Sequence, residues 1–146
     1  MKQILFLTIL FSLTIFSCKK SDSIDSIPTS LDGKWRMIVV KENISGFTTT
    51  KPSSISGEVE ITFTSTNSTN GTFVGITPSN DILQNGYSVG PNQTITIPNL
   101  SMTKVMETSW GDEFVENIRD CETYNFEIGR KLNIVTVNKT LTFEKL

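Results

Sequence analysis

The chemistry open to this chain is bounded first by what its sequence lacks. No histidine occurs in its 146 residues, and the only cysteines are Cys18 and Cys121. The commonest general base, zinc ligand and near-neutral pH switch is therefore missing, and no Ser-His-Asp or Cys-His arrangement can be assembled. Three sets of side chains remain. Cys18 sits where an apolar run meets a polar one, in "IFSCKKSDSIDS". Cys121 ends an apolar stripe and reads as a small buried hydrophobe rather than a reactive thiol. Asp112, Glu116 and Asp120, spaced i, i+4 and i+8, share one helix face. A calcium ion needs oxygens wrapped around it by a tight loop, so these three read as a solvated face. The glycines are isolated and form no phosphate-cradling motif. The expectation is a chain with no catalytic residue, no metal and no cofactor.

Around Cys18 the sequence is more specific. Met1-Lys2-Gln3 carries one positive charge, and Ile4 to Phe16 is a thirteen-residue run broken only by Thr8, Ser12 and Thr14. A bilayer span needs roughly 20 apolar residues, so the run fits a secretory signal instead. Ile15-Phe16-Ser17-Cys18 resembles a bacterial lipobox, with Phe16 bulkier than usual. The resemblance implies a diacylglycerol on the Cys18 sulfur, cleavage just before it and acylation of the new amino group. Several chains on one residue satisfy the need for more than one acyl group in stable anchoring. The alternative is an ordinary signal peptide with Cys18 incidental. Residues 1–17 are thus read as signal peptide and 18–30 as lipidated cysteine and tether, because "KKSDSIDSIPTS" buries too little to repay ordering. Its two Asp-Ser-Ile copies resemble an O-glycosylation acceptor of gram-negative bacteria, which would place sugars on Ser23 and Ser26. The expected address is the cell envelope, lipid-anchored at the outer membrane, with its periplasmic face and the cell surface both open.

The mature chain would hold 12 basic and 15 acidic residues, a side-chain charge of −3, which excludes a nucleic-acid partner. Residues 31–146 are long enough for one domain with one core. Alternation predicts strands over Lys34–Val40, with Trp35, Met37 and Val39 inward, and over Val59–Thr64, with Val59, Ile61 and Phe63 inward. Asn70-Gly71 predicts a hairpin turn into Thr72–Ile76. Pro78–Gly86 reads as a loop. Short strands follow at Tyr87–Val89, Gln93–Ile97 and Thr103–Glu107. The period then changes once: Trp110, Phe114, Ile118 and Cys121 form a helical stripe over Ser109–Cys121, capped by Ser109 with Asp112. Three strands carrying Tyr124/Phe126/Ile128, Leu132/Ile134/Thr136 and Leu141/Phe143 close the chain, with turns at Gly129 and Asn138-Lys139. The fold class is mainly β (α+β). It is an antiparallel meander or partly open barrel of about eight or nine strands, with one helix before the last three.

The order "GKW", "ITF…NGTFVG", "NGY", "TITI", "WGDEFVENI", "YNFEIGRKLNI" and "TLTFEKL" resembles the META/HslJ-like domain of bacterial envelope lipoproteins over most of residues 31–146. That resemblance implies a role in stress or drug tolerance without a defined chemical activity. Many members carry a cysteine just before the loop asparagine and another before the helix; Ser79 and, roughly, Glu107 stand there instead, so no role of that pair carries over. Gly33-x-Trp35 also resembles the opening of lipocalin-like barrels, whose tryptophan closes one end beneath an apolar ligand. The expected function is a monomeric, non-enzymatic binding or structural module. A carrier of a small apolar ligand is the alternative. The candidate contact surface is the Ser79–Gly86 loop with Ile82 and Leu83, which could instead cover one end of the core. The lipid reading has a direct test. Wild-type protein should incorporate labelled palmitate in its host and Cys18→Ser should not; equal labelling of the two would remove Cys18 as the attachment point.

Overall fold

A computed structural model describes residues 27–146. Nine strands form one antiparallel sheet: β1 (Gly33–Glu42), β2 (Thr48–Thr49), β3 (Glu60–Ser65), β4 (Asn70–Ile76), β5 (Asp81–Gly90), β6 (Thr94–Thr96), β7 (Cys121–Glu127), β8 (Lys131–Thr136) and β9 (Lys139–Lys145). Sequential neighbours pair from β3 to β9, and β1 pairs with both β3 and β9. Eight strands thus close a barrel, and β2 is an extra strand on the edge of β1. One helix, α1 (Ser109–Asn117), precedes the last three strands. No helix among the described residues is long and apolar enough to cross a bilayer.

Most inward positions follow from alternation. Val59, Ile61, Phe63, Leu132, Ile134, Leu141 and Phe143 are all buried. In β1 the pattern slips. A bulge at Ile38 lies between Met37, opposite Phe143, and Val39, opposite Thr142. One extra residue reverses the faces beyond it, so Val40 is buried and Val39, expected inward, is not. The Asn70-Gly71 pair is not the hairpin turn either. Both residues begin β4, and residues 66–69 make the turn, where the Asn67 side chain accepts from the Thr69 and Asn70 amides at 2.9 and 2.8 Å. Gly71 serves a different purpose. It lies opposite Tyr87, and a β-carbon there would fall 2.4 Å from the phenol ring. Its bare backbone lets that ring fold over it and meet Phe63 edge-on at 5.1 Å.

The helix is shorter than its apolar stripe. Thr108, not Ser109, is the N-cap, and its hydroxyl accepts from the Gly111 amide at 3.2 Å. The α-helix ends at Asn117, a 3₁₀ turn takes Ile118–Asp120, and Cys121 already opens β7. Pairing of Cys121 with Thr136 in β8 overrides the local helical tendency. Phe114, Ile118 and Cys121 are nonetheless all buried as the stripe required.

The two barrel ends differ. The chain enters the described domain at the end where Trp35 donates its indole N–H to the Leu31 carbonyl at 2.6 Å. There the Trp35 ring stacks on Phe126 and lies under the Lys145 ammonium, 5.2 Å from its centroid. At the opposite end α1 covers the opening. Phe114 meets Phe143 edge-on at 6.4 Å, and Lys139 pairs with Glu113 at 2.6 Å. Trp35, Phe63, Phe73, Phe114 and Phe143 are each at most 1% exposed, so aromatic rings occupy the interior from one end to the other. Among the described residues, the only buried side-chain polar atom without a partner is Nε1 of Trp110. On the outer wall, Glu60 ties β3 to β1 through Lys34 at 2.5 Å and Arg36 at 3.2 Å. If Phe114 is the plug, Phe114→Ala should lower stability by about 3–5 kcal/mol in urea melts, whereas Met106→Ala, 92% exposed, should stay within about 0.5 kcal/mol. Similar small losses from both would show that the helix end is not a packed seal.

Candidate functional site

The helix end is built on two asparagines. Thr77-Pro78-Ser79-Asn80 is a tight turn between β4 and β5. The Thr77 amide donates to the Asn80 carbonyl at 2.8 Å, and the Asn80 amide to the Thr77 hydroxyl at 3.0 Å. Proline and short polar side chains favour such a turn. It aims the Asn80 amide, 5% exposed, at the segment 100–107. There its oxygen accepts from the Val105 N–H at 2.7 Å and the Thr103 hydroxyl at 3.1 Å. Its nitrogen donates to the Val105 carbonyl at 3.0 Å and the Glu107 carboxylate at 2.9 Å. Four bonds use the whole capacity of the side chain. Asn85 repeats the device lower down, accepting from the Ser101 amide at 2.6 Å and donating to the Ser101 carbonyl at 3.1 Å.

These side chains explain why Thr103–Glu107, expected as a strand, is none. A single bridge joins Ile82 and Met102; beyond it, Asn80 supplies the bonds that a neighbouring strand would have supplied. Glu107 completes the knot, accepting from the Thr77 hydroxyl, Asn80 and the Thr108 amide. Burial alone would raise its pKa. The bonds from Thr77, Asn80 and Thr108, with Ser79 adding to them, outweigh burial and hold it below the ordinary glutamate value. Gly111 of α1 lies directly against this carboxylate, and a β-carbon there would come within 2.3 Å of it.

Between segment 100–107 and α1 lies an open cleft of about 710 Å³, within the roughly 300–1,000 Å³ typical of ligand sites. Leu100, Met102 and Val115 give it an apolar floor, and Lys104, Met106 and Arg119 stand along it. Val105 and Met106 are 62% and 92% exposed. A smaller cleft of about 500 Å³ adjoins the Thr77–Asn80 turn, against Gly57, Glu58, Thr103 and Val105, and two more lie elsewhere. One, about 360 Å³, is at the Trp35 end; the other, about 450 Å³, is on the outer wall over β7, β8, β9 and β1. Their central polar side chains, Asn67 and Asn133, are already bonded within their own turn and sheet.

Residues singled out from sequence fall variously. Cys18, Ser23 and Ser26 lie outside the described residues. Ser79–Gly86 is not a loop, because β5 begins at Asp81. Period-2 alternation puts Ile82 inward at 3% exposure and Leu83 outward at 51%, so the two do not share a surface. Ile82 belongs to the core. Asp112, Glu116 and Asp120 are all exposed on α1 or just after it. Cys121 is buried, which pushes its thiol up to about 11. Lys104 and Arg119 are isolated cations and carry no spacing signal in the sequence. Asn80 and Asn85 are polar residues bracketing an inward Ile82, and that was the available hint.

No family model matches the chain, and no curated protein matches it. Among solved structures, an NMR structure of a protein from Burkholderia xenovorans superposes with a TM-score of 0.60, covering 80% of this chain and 83% of its own at 16% identity. This likeness shows a shared fold. The Glu107 knot itself makes a pH prediction. A folded-state pKa below 4.5 means that the carboxylate's stabilisation is complete above that value and is lost as pH falls through the lower folded one. Glu107→Gln should cost about 1 kcal/mol at neutral pH, and the gap in urea midpoints should close on acidification. A gap unchanged at about pH 3 would mean that ionisation of Glu107 contributes nothing.

Proposed function

We propose that this chain is an envelope lipoprotein, anchored through Cys18, whose META/HslJ-like barrel is a non-enzymatic module that binds at its surface. One observation carries the reading. The barrel interior is taken up by aromatic side chains, while the open cleft at the helix end has an apolar floor and a wall held rigid by Asn80 and Glu107. Supporting the family reading, the helix falls before the last three strands. Ser79 and Glu107, standing where many members have their cysteine pair, also meet around one carboxylate. The chain enters the barrel at the Trp35 end, so a lipid at Cys18 would leave the helix-end cleft on the far side of the domain from the point of attachment. A role in envelope stress tolerance fits a module of this kind.

A lipocalin-like carrier is the second reading. Trp35 of Gly33-x-Trp35 does close one barrel end, against Leu31 and Phe126. The two readings place a ligand differently. When 1-dodecanol, a neutral apolar probe, is titrated into methyl-labelled protein, resonances of Leu100, Met102, Val105 and Val115 should shift. Shifts centred on Ile61, Leu132 and Ile134 would make the interior the site and overturn the surface reading.

A further inference from the structure

The cleft at the Trp35 end differs from the others in what lines it. Charged side chains stand in each of the other three: Asp112 and Arg119 at the helix end, Glu58 and Asp81 beside the Thr77–Asn80 turn, Glu127 and Lys131 on the outer wall. Among the described residues, no charged side chain lines this one. Its wall is amide, hydroxyl and phenol, chiefly from Asn67, Ser68, Tyr87 and Tyr124, and Leu31 and Val89 are its apolar part. The segments that meet there are pinned. The Leu31 carbonyl accepts the Trp35 indole N–H at 2.6 Å, and the Ser65 amide donates to the Asp32 carboxylate at 2.6 Å. The Asn67 side-chain oxygen closes the turn over residues 66–69. The Val89 amide donates to the Thr69 carbonyl at 2.7 Å and ties β5 to that turn. The Tyr87 hydroxyl lies 3.3 Å from that of Ser65. Walls held this way need no ordering when a ligand arrives. The volume, about 360 Å³, suits a ligand at the small end of the usual range.

We infer that this cleft takes a neutral saccharide, a sugar ring whose hydroxyls exchange hydrogen bonds with Ser68, the Tyr124 phenol and the Asn67 amide nitrogen. A sugar presents many donors and acceptors and no charge, and serine and tyrosine hydroxyls serve in either role. The Asn67 oxygen is already taken up in its turn, so its NH2 group is the part left for a ligand. Tyrosine also offers an apolar ring beside its polar tip, which matches the C–H face of a sugar. The uncharged lining supplies the selection. An acidic sugar would bring a carboxylate to a wall without a cation and with Asp32 adjoining it. A bare hydrocarbon ring would strip water from the hydroxyls and amide and replace none of their bonds. This site is separate from the helix-end cleft, and the inference does not rest on the reading proposed for that cleft.

The test titrates isotope-labelled protein with the methyl glycosides of glucose, galactose and mannose and follows it by NMR. At least one should shift resonances of Ser68, Tyr87, Val89 and Tyr124 saturably, while those of Met102 and Val115 at the helix end stay in place. The uronide of the same sugar should bind at least about fivefold more weakly, and cyclohexylmethanol should not saturate the site. Tyr124→Phe keeps the ring and should weaken binding about fivefold. Ser68→Phe, at an exposed turn position, should fill the cleft and abolish binding; unliganded spectra of both variants report that they are folded. No saturable shift at the cleft with any of the three glycosides, equal binding of the uronide or of cyclohexylmethanol, or full binding by both variants would overturn the inference. None of these results bears on the helix-end reading, which the 1-dodecanol titration tests.

Discussion

The hydrogen-bonded seam between β1 and β9 is the constraint on which the rest of the molecule depends. β1 pairs with β9 from Trp35 to Glu42 while its first residues, Gly33 to Arg36, pair with β3. Trp35 and Arg36 are paired on both sides, and the sheet has no edge there. Closure at eight strands also sets the width: such a barrel is just wide enough for side chains to fill it. Five large aromatic rings, with the aliphatic side chains of the strands between them, do so here. On the proposed reading, a filled interior leaves binding to the surface. The Ile38 bulge belongs to the same seam. It bends β1 where the strand crosses from its β3 partner toward β2 and turns Val40, not Val39, into the core.

The barrel is less regular on the opposite side. β6 is three residues long and meets β7 through one residue pair, Thr94 with Thr123. β5 consequently pairs with β4 alone over its first half. On the other edge the backbone bonds to segment 100–107 are few, Leu83 N–H to Ser101 and Thr103 N–H to Asp81 at 3.0 Å each, and side chains supply the rest. Asn80 and Asn85 hold segment 100–107 at the position of a missing strand, and Glu107 locks that segment to the turn before β5. A wall made this way can diverge from the sheet, and the cleft between it and α1 is the result. The irregular part of the barrel and the candidate site are thus one feature.

Much of this was legible in the sequence, for definable reasons. Strand alternation in Val59–Phe63 and Leu132–Leu141 reports inward faces directly, because the side-chain period is two and one face is buried. The single switch to a 3.6-residue period identified the helix and its place before three closing strands. Bulges were not legible: Ile38 shifts the register of β1 without any change in composition. Asn70-Gly71 misled because Gly71 is needed for the close approach of Tyr87, not for turn geometry. The loop expected at Ser79–Gly86 failed because Asn80 and Asn85, which read as loop residues, spend their amides on the backbone of a segment sixteen or more residues away. The site was hidden for the same reason. Its wall depends on contacts between Asn80 and Val105, and its charged side chains, Lys104, Glu107, Asp112 and Arg119, are brought to one cleft only by folding.

The claim that a filled barrel displaces binding to its surface is tested most directly by crystals of the folded domain held under xenon. Xenon enters dry apolar cavities that exclude water. The account predicts no xenon inside the barrel, between Trp35 at one end and Phe114 at the other. Ordered xenon among Phe63, Phe73 and Phe143 would reveal an interior cavity and contradict it.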